Sequence, residues 1–503
     1  MRGIYTPVIE FRRKVFTEVA RLAYEGGDYT RIHDLPYKII PGEIANYRES
    51  IFLERSIIGE RLRLSIGLPL RDFTRHRSIA EGINQSAIAE KYYDPPLINI
   101  IKFACNKCPD NVIQVSNLCR GCLAHPCTIV CPVDACHIVD NKSLIDQDKC
   151  IKCGKCLSAC PYNAIIQQER PCAQACGVDA ISSDDLGRAD IDQDKCVSCG
   201  MCLVNCPFGA ISDKGQIFQT VIALKDEKTP VYACVAPSFV GQFGKKVTPN
   251  KLKAAMIELG FEDVIEVAIG ADLCTIDEAE DFIKKVPSEL SFMATSCCPS
   301  WSVMAKKLFP EFKENISMTL TPMVLTGRLI KKERPGCKVV FIGPCSAKKL
   351  EASRKSVRSD IDFVLTYEEL MGMFEAKEIC FSNLSEDELV LESTAAGRGF
   401  AYSDGVANAV AENIKKKYPN MEVKTITANG LRECRKMLTI AKTGKYDGYL
   451  LEGMGCPGGC VAGAGTLKPI ISSKKEVDKY VDDAKQKDAG ESKYKKYLEL
   501  LED

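Results

Sequence analysis

The chain has 503 residues, too many for one compact core, so several domains are expected. Its 67 lysines and arginines balance 67 aspartates and glutamates, and a formal net charge of zero argues against nucleic acid or an anionic membrane as the main partner. No apolar stretch reaches transmembrane length, and residues 1–14 carry charges where a secretory core would be apolar, so a cytoplasmic location is expected.

Cysteine is the outlier. The chain holds 27, of which 17 lie between Cys105 and Cys206, many of them in C-x-x-C pairs. That spacing suits metal ligation better than a disulfide framework, and a large chain without an export signal points to a reducing compartment.

Residues 1–100 read as mainly helical. Val15–Ala23, Asn46–Arg61 and Ser78–Tyr92 place apolar residues at helical spacing, and nothing there announces chemistry; His33 and His76 read as surface or cap residues. Asp94-Pro95-Pro96 marks a boundary. Residues 101–215 form a cysteine array, and residues 216–473 alternate strands with helices, as parallel sheets require. In this part Val231–Val235 reads as a strand, Thr248 as the N-cap of a helix, and Asp404–Tyr418 as a further capped helix. The charged tail, 474–503, is expected to be a peripheral helix with a solvated face. The predicted fold is multidomain, α+β and α/β.

Within the array, Ile145–Cys150 and Ile191–Cys196 are the same words, Ile-Asp-Gln-Asp-Lys-Cys. Each opens a C-x2-C-x2-C-x3-C-P run: Cys150, Cys153, Cys156 and Cys160, then Cys196, Cys199, Cys202 and Cys206. Repetition of this kind predicts duplicated ferredoxin-like units, in which the fourth cysteine of a run ligates a different cluster from the first three. Cys119, Cys122, Cys127 and Cys131 form a variant run, and Cys172 with Cys176 the end of a truncated one. Pairing neighbours predicts [4Fe–4S] clusters on Cys119, Cys122, Cys127 and Cys160; on Cys150, Cys153, Cys156 and Cys131; and on Cys196, Cys199, Cys202 and Cys176. Cys206 and Cys172 remain, and Cys105 with Cys108 could complete a further set, so two to four clusters are expected. Cys136 reads as a packed thiol, His125 as a surface residue or an iron ligand, and zinc is the competing metal.

Three further cysteine segments each follow a short apolar run. Thr295-Ser-Cys297-Cys298-Pro-Ser-Trp301 follows Leu290–Ala294, Gly343-Pro-Cys345-Ser-Ala-Lys-Lys349 follows Val339–Ile342, and Glu452-Gly-Met-Gly-Cys456-Pro-Gly-Gly-Cys460 follows Tyr446–Leu451. Loops after parallel strands gather ligands at one place, so these stretches are expected to deliver thiolates to one buried cluster. In sequence and order, together with Ala236-Pro237-Ser238, they resemble the signature loops of [FeFe]-hydrogenases, in particular a less-studied monomeric branch; the resemblance spans roughly 100–470.

The resemblance implies a two-lobed catalytic domain holding an H-cluster, a [4Fe–4S] cubane joined through a cysteine to a two-iron unit with CO, cyanide and azadithiolate ligands. It assigns the cubane to Cys298, Cys345, Cys456 and Cys460, with Cys460 also bridging the two-iron unit. It makes Cys297 the proton-transfer thiol, Lys348 and Ser238 donors near the cofactor, Met454 a packing residue against the two-iron unit, and Ala236 with Pro237 part of the binding loop. The implied activity is reversible H2 oxidation and proton reduction, with electrons relayed to ferredoxin or a similar low-potential carrier and with maturation proteins as partners. Asp277, Glu278 and Asp281 fall where family carboxylates serve an outer proton route, and Thr321 stands in for a serine. Gly343 departs from a common methionine, leaving space or a different contact, and Gly463-Ala464-Gly465 departs from a triple glycine. The alternatives are a slow H2-sensing protein and a non-catalytic iron–sulfur scaffold like the prelamin recognition-factor relatives.

Overall fold

Thr6 accepts the Ile9 amide at 3.4 Å and Pro7 follows, which starts α1 (Pro7–Glu25), buried along Val15, Val19 and Leu22. The computed structural model describes residues 4–384 and 392–501. Helix α2 (Ile51–Ser65) begins later than the periodicity predicts. Glu54 explains the delay: its Oε1 accepts the amides of Asn46 at 2.9 Å, Tyr47 at 2.6 Å and Arg48 at 2.9 Å, which holds these residues as a loop. The helix expected over Ser78–Tyr92 shrinks to one turn, Ile83–Ser86. Buried Arg63 takes the Ile79 and Glu81 carbonyls at 2.8 and 2.7 Å, so those carbonyls serve a side chain and not a helix. His33 and His76 are exposed, His33 bonding Ser78 at 2.8 Å.

Strand β1 (Ile98–Ile100) pairs antiparallel with β2 (Ile211–Asp213) and so closes the cysteine array on itself. Between them run antiparallel pairs, Val112–Val115 with Ile165–Gln168, Cys136–Val139 with Lys142–Ile145, and Ile181–Ser183 with Ala189–Ile191. The repeated words fold alike. The Cys150 amide meets the Asp146 carbonyl and the Cys196 amide the Asp192 carbonyl, each at 3.0 Å.

After α3 (Ile217–Leu224) come β3 (Val231–Val235), α4 (Pro249–Leu259), β4 (Asp263–Glu266), α5 (Ala268–Lys285), β5 (Met293–Ala294), α6 (Pro299–Leu308) and α7 (Pro322–Glu333). Then follow β6 (Lys338–Gly343), α8 (Ala347–Glu351), β7 (Phe363–Thr366), α9 (Tyr367–Ala376), α10 (Gly405–Lys417), β8 (Lys424–Asn429), α11 (Leu431–Ala441), β9 (Tyr449–Met454) and α12 (Ile470–Asp482). The strands make two wholly parallel sheets, β4-β3-β6-β7 and β5-β9-β8. Full burial of β3 fits strands covered on both faces.

Helix α1 packs on α9 and α3, and Val15, Val19, Phe218, Val340, Leu370 and Met373 share one core. The N-terminal helices are thus part of the first lobe's interior. Asp404 stands at the start of α10 with φ +73° and no side-chain cap bond; its own amide instead donates to Glu452 at 3.0 Å. The tail is not one peripheral helix. Helix α12 ends at Asp482 and buries Val477 and Tyr480, whose hydroxyl bonds Glu266 and whose ring lies 4.1 Å from the Arg398 guanidinium. Short turns follow because Asp488 accepts the Gly490 amide at 2.8 Å and Ser492 the Tyr494 amide at 3.4 Å; residues 502–503 lie outside the described residues. Among the described residues no helix is long and apolar enough to cross a membrane.

Candidate active site

Four strands from two sheets end at one place. Ala236 and Pro237 follow β3, Cys297 and Cys298 follow β5, Cys345 follows β6, and Cys456 and Cys460 follow β9. All line one cavity of about 810 Å³, its open mouth included, together with Lys348, Met454, Phe341 and Phe400. The carboxyl ends of parallel strands are where such sites form. Gly458 and Gly459 turn the chain between Cys456 and Cys460 at φ +94° and +89°, and a Cβ on Gly459 would sit 2.7 Å from the Tyr402 backbone.

Two of the predicted cubane cysteines show how closely the four are set. Burial pushes the Cys345 thiol far up, and Cys456, Cys298 and Cys460 push it further, with Lys348 opposing. Burial, Cys298 and Cys456 likewise push Cys460 up to about 12. Thiols crowded together in this way become thiolates together only around a cationic group. Among the described residues no three His, Cys, Asp or Glu side chains converge as they would on one metal ion. Thiols spread around a cavity fit a cluster better than zinc.

Lys348 reaches the cavity, and its Nζ donates to Glu351 at 2.7 Å, Thr321 at 3.3 Å and the Cys297 carbonyl at 3.3 Å. An ammonium has three donors, so a bond to a cofactor ligand requires one of the longer contacts to yield. Ser238 differs from expectation: it is fully buried and does not line the cavity. Its hydroxyl sits 2.8 Å from Tyr367 Oη, which donates to the Ala236 carbonyl at 3.1 Å. The Ser238 proton therefore goes to Tyr367, and the pair braces the Ala236 loop. The Gly343 departure creates a contact and not a gap. The Phe341 ring covers it, 2.5 Å from where a Cβ would stand, and itself lines the cavity.

Glu278, on α5, is fully buried; Oε1 accepts the Ser296 amide at 3.3 Å and Oε2 has no hydrogen-bond partner. Burial pushes its carboxyl up to about 8, with the nearby Ser317 hydroxyl opposing. Cys297 is raised by burial and then by Glu278, the first of its charged neighbours. Asp277 is raised by burial and lies near Thr319, whereas Asp281 pairs with Lys285 at 2.7 Å. Thr321 does not stand on this side: its hydroxyl donates to Glu351 at 2.8 Å. Ser317 is the hydroxyl near Glu278, and no local pattern in Asn315–Thr321 distinguishes it from Thr321. Glu452 was also unassigned. It accepts the Asp404 and Ala407 amides at 3.0 and 2.7 Å, and burial raises it to about 7. A carboxylate interrupting an apolar strand was its signal.

The cysteine array forms similar corners. An amide four residues on donates to Cys131, Cys160, Cys176 and Cys206, from Ala135, Ala164, Ala180 and Ala210, at 3.2–3.4 Å. Cys131, Cys150, Cys153 and Cys156 line one cavity; Cys199 and Cys202 each feel Cys176 and Cys196. Ser143 draws Cys119 and Cys127 together, its amide donating to Cys119 at 3.4 Å and its hydroxyl lying 3.5 Å from Cys127. Cys136 is buried against Ser143 at 3.0 Å, as a packed thiol would be, and His125, at φ +40°, starts a short helix. Cys199 also feels Cys456, and Gly200 (φ +75°) leaves room for Ala464, 2.7 Å from where a Cβ would stand. This loop of the array thus packs against the chain just after Cys460, and Ala464 fits where a triple glycine was expected.

The model of the iron-only hydrogenase large subunit, C-terminal domain, matches residues 229–464, and two 4Fe-4S dicluster domain models match 149–210 and 111–161. Iron hydrogenase 1 of Clostridium pasteurianum is 29% identical over 447 residues, 78% of this chain and 77% of its own length. A cytosolic Fe-S cluster assembly factor of Danio rerio is 25% identical over 293 residues, 48% of this chain and 71% of its own. The solved apo [FeFe]-hydrogenase of Chlamydomonas reinhardtii aligns with a TM-score of 0.46 at 21% identity, over 56% of this chain and 93% of that one. The chain is thus similar to [FeFe]-hydrogenases over its C-terminal part and to 4Fe-4S dicluster domains over residues 111–210.

Proposed function

We propose that the chain interconverts H2 with protons and electrons at an H-cluster. The observation that carries this reading is the convergence of Cys298, Cys345, Cys456 and Cys460 with Cys297, Lys348 and Met454 on one cavity at the ends of two sheets. Cys298, Cys345, Cys456 and Cys460 would hold the cubane, and Cys460 would also serve the two-iron unit. When bound, the H-cluster supplies an iron site for splitting or forming H2 and a bridging amine that exchanges the proton.

The chain's own residues do the rest. Apolar walls from Phe341, Phe400, Met323 and Met454 exclude water from the reacting end. Cys297 carries a proton between the cavity and Glu278, whose unpartnered Oε2 and raised pKa suit a group that both takes and gives a proton near neutrality. From there the nearby Ser317 hydroxyl offers the next step outward. Lys348 keeps a fixed positive charge beside the cavity. Electrons pass by the Cys176, Cys196, Cys199 and Cys202 set, of which Cys199 feels Cys456, to ferredoxin or a similar carrier in the cytoplasm. Assembly of the cofactor calls for maturation proteins.

A second reading, an iron–sulfur scaffold, is favoured by the likeness to assembly factors over about half the chain. One experiment separates them. The protein is loaded with the complete cofactor, infrared CO and cyanide bands are recorded, and dye-linked H2 oxidation and proton reduction are measured. Bands with turnover support the hydrogenase; failure to retain the cofactor, or retention without turnover, supports the scaffold.

A further inference from the structure

Cys105, Cys108, Cys172 and Cys206 come from three separate stretches and line one cavity of about 330 Å³, its open mouth included. Its size matches the cavity of about 320 Å³ lined by Cys131, Cys150, Cys153 and Cys156. The order of ligands has a simple origin. Cys172 and Cys176 are the last two members of a run that lacks its first two, and the upstream Cys105-x-x-Cys108 brings a replacement pair to the gap.

A second observation points to what fills the space. Arg170 lines the same cavity and is only 2% exposed, yet its Nε and Nη1 are buried without a hydrogen-bond partner. Its Nη2 is fully used, on the Cys108 carbonyl at 3.1 Å, Ser183 at 2.7 Å and the Gly187 carbonyl at 3.1 Å. A guanidinium keeps its charge at any working pH, so a buried one beside four thiols calls for an anionic group. The N-terminal helices reinforce the site. Arg48 donates to the Ala104 and Phe208 carbonyls at 3.3 and 2.7 Å, and buried Arg61 bonds the Gly209 carbonyl, so both cysteine loops are anchored by cations from residues 1–100.

We propose that Cys105, Cys108, Cys172 and Cys206 bind a further [4Fe–4S] cluster and that Arg170 is its buried counter-ion and positioning residue. The proposal rests on reading the cysteine array as an iron–sulfur relay. Cys202 feels Cys172, so the neighbour is the set on Cys176, Cys196, Cys199 and Cys202. One electron passes from that reduced neighbour to this cluster; the neighbour is oxidised, this cluster is reduced, and no bond or proton changes. The cluster complex is an anion that gains a further negative charge on reduction, so the fixed charge of Arg170 raises its potential. Amides of Ala189 and Ala210 donating to Cys105 and Cys206, at 3.3 and 3.4 Å, act in the same direction.

The test uses the full chain, reconstituted anaerobically, with iron and zinc counted per chain, infrared bands recorded, and cluster potentials followed by electron paramagnetic resonance. The Cys105→Ser/Cys108→Ser double variant should lose about four irons, one cluster's worth, and keep the CO and cyanide bands of the parent. Arg170→Gln should retain its iron and shift one midpoint to more negative potential by at least tenfold in the reduction equilibrium, about 59 mV for one electron; Arg170→Lys should recover most of that shift. Unchanged iron in the double variant, zinc at the site, or midpoints unmoved by Arg170→Gln would each overturn the proposal. If the double variant does not fold, the Arg170→Gln midpoint decides alone. Loss of about four irons from a parent that never shows CO or cyanide bands would leave this cluster standing and remove the hydrogenase reading.

Discussion

Cys297 and Glu278 differ in how much each reveals without the fold. Cys297 sits in a motif and was assigned from its neighbours in sequence, whereas Glu278 was one of three carboxylates that sequence left equal. Burial separates them: Glu278 is enclosed and unpartnered at Oε2, while Asp281 is held in an ion pair. Cys297→Ser should lower turnover at least about 100-fold with iron content and infrared bands unchanged, since a hydroxyl is a far weaker acid than a thiol; parental rates would remove its role. Glu278→Gln should cost a similar factor and leave the cofactor bands intact.

The pH dependence of Glu278 has a definite sign. Its folded pKa is raised to about 8 from 4.5, so the folded state holds a proton that the unfolded state has released. Stability is therefore greatest below 4.5 and declines as pH rises toward about 8, by roughly 5 kcal/mol if nothing compensates. The same proton governs direction. To accept from Cys297 during H2 oxidation the carboxyl must be ionised, so oxidation limited by this step rises up to about tenfold per pH unit and levels off above about 8. Rate profiles together with the carboxylic-acid infrared band, present at pH 6, lost near 8 and absent in Glu278→Gln, check this.

Among the elements, the shortest strand carries much of the site. Strand β5 is two residues long, yet it starts the loop bearing Cys297 and Cys298, and it is held by β9 and by Trp301. The Trp301 indole donates to the Thr295 carbonyl at 2.9 Å while its ring lies on Gly453, where a Cβ would stand 2.2 Å away. Gly453→Ala should force the ring off the strand and cost about 1–3 kcal/mol, as overpacking does. The measurement is thermal loss of the infrared-active cofactor, and an unchanged midpoint would contradict it. Boundaries were legible in sequence where a local cap sets them: Thr248 accepts the Lys251 amide at 3.2 Å, and α4 starts where predicted. They were not legible over 46–50 and 78–92, where Glu54 and Arg63 draw backbone groups away from the helical pattern.

Across the whole molecule, one buried ammonium ties the cysteine array to the first lobe. Lys349, on α8, contacts Asp213 of β2 and Glu369 of α9 at 2.9 Å each. Burial alone would raise Asp213, but Lys349 holds it below its usual range. Lys349→Met should leave two carboxylates buried without their cation and cost about 3–5 kcal/mol. Loss of soluble, cluster-bearing protein at growth temperature is the expected result, and parental yield and melting would exclude the role.

Much of the site was written locally: ligand cysteines, the glycine turn between two of them, and strands placed just before each loop. These are short-range properties of residue type and spacing, and a linear sequence displays them. The tertiary structure alone decided that Ser238 turns to Tyr367, that Phe341 occupies the place left by Gly343, that Ser317 and not Thr321 lies near Glu278, and that Arg170 keeps Nε and Nη1 unused beside four thiols. Each depends on which distant side chains share a buried volume, and burial sets the charge and hydrogen-bonding state that sequence spacing leaves open.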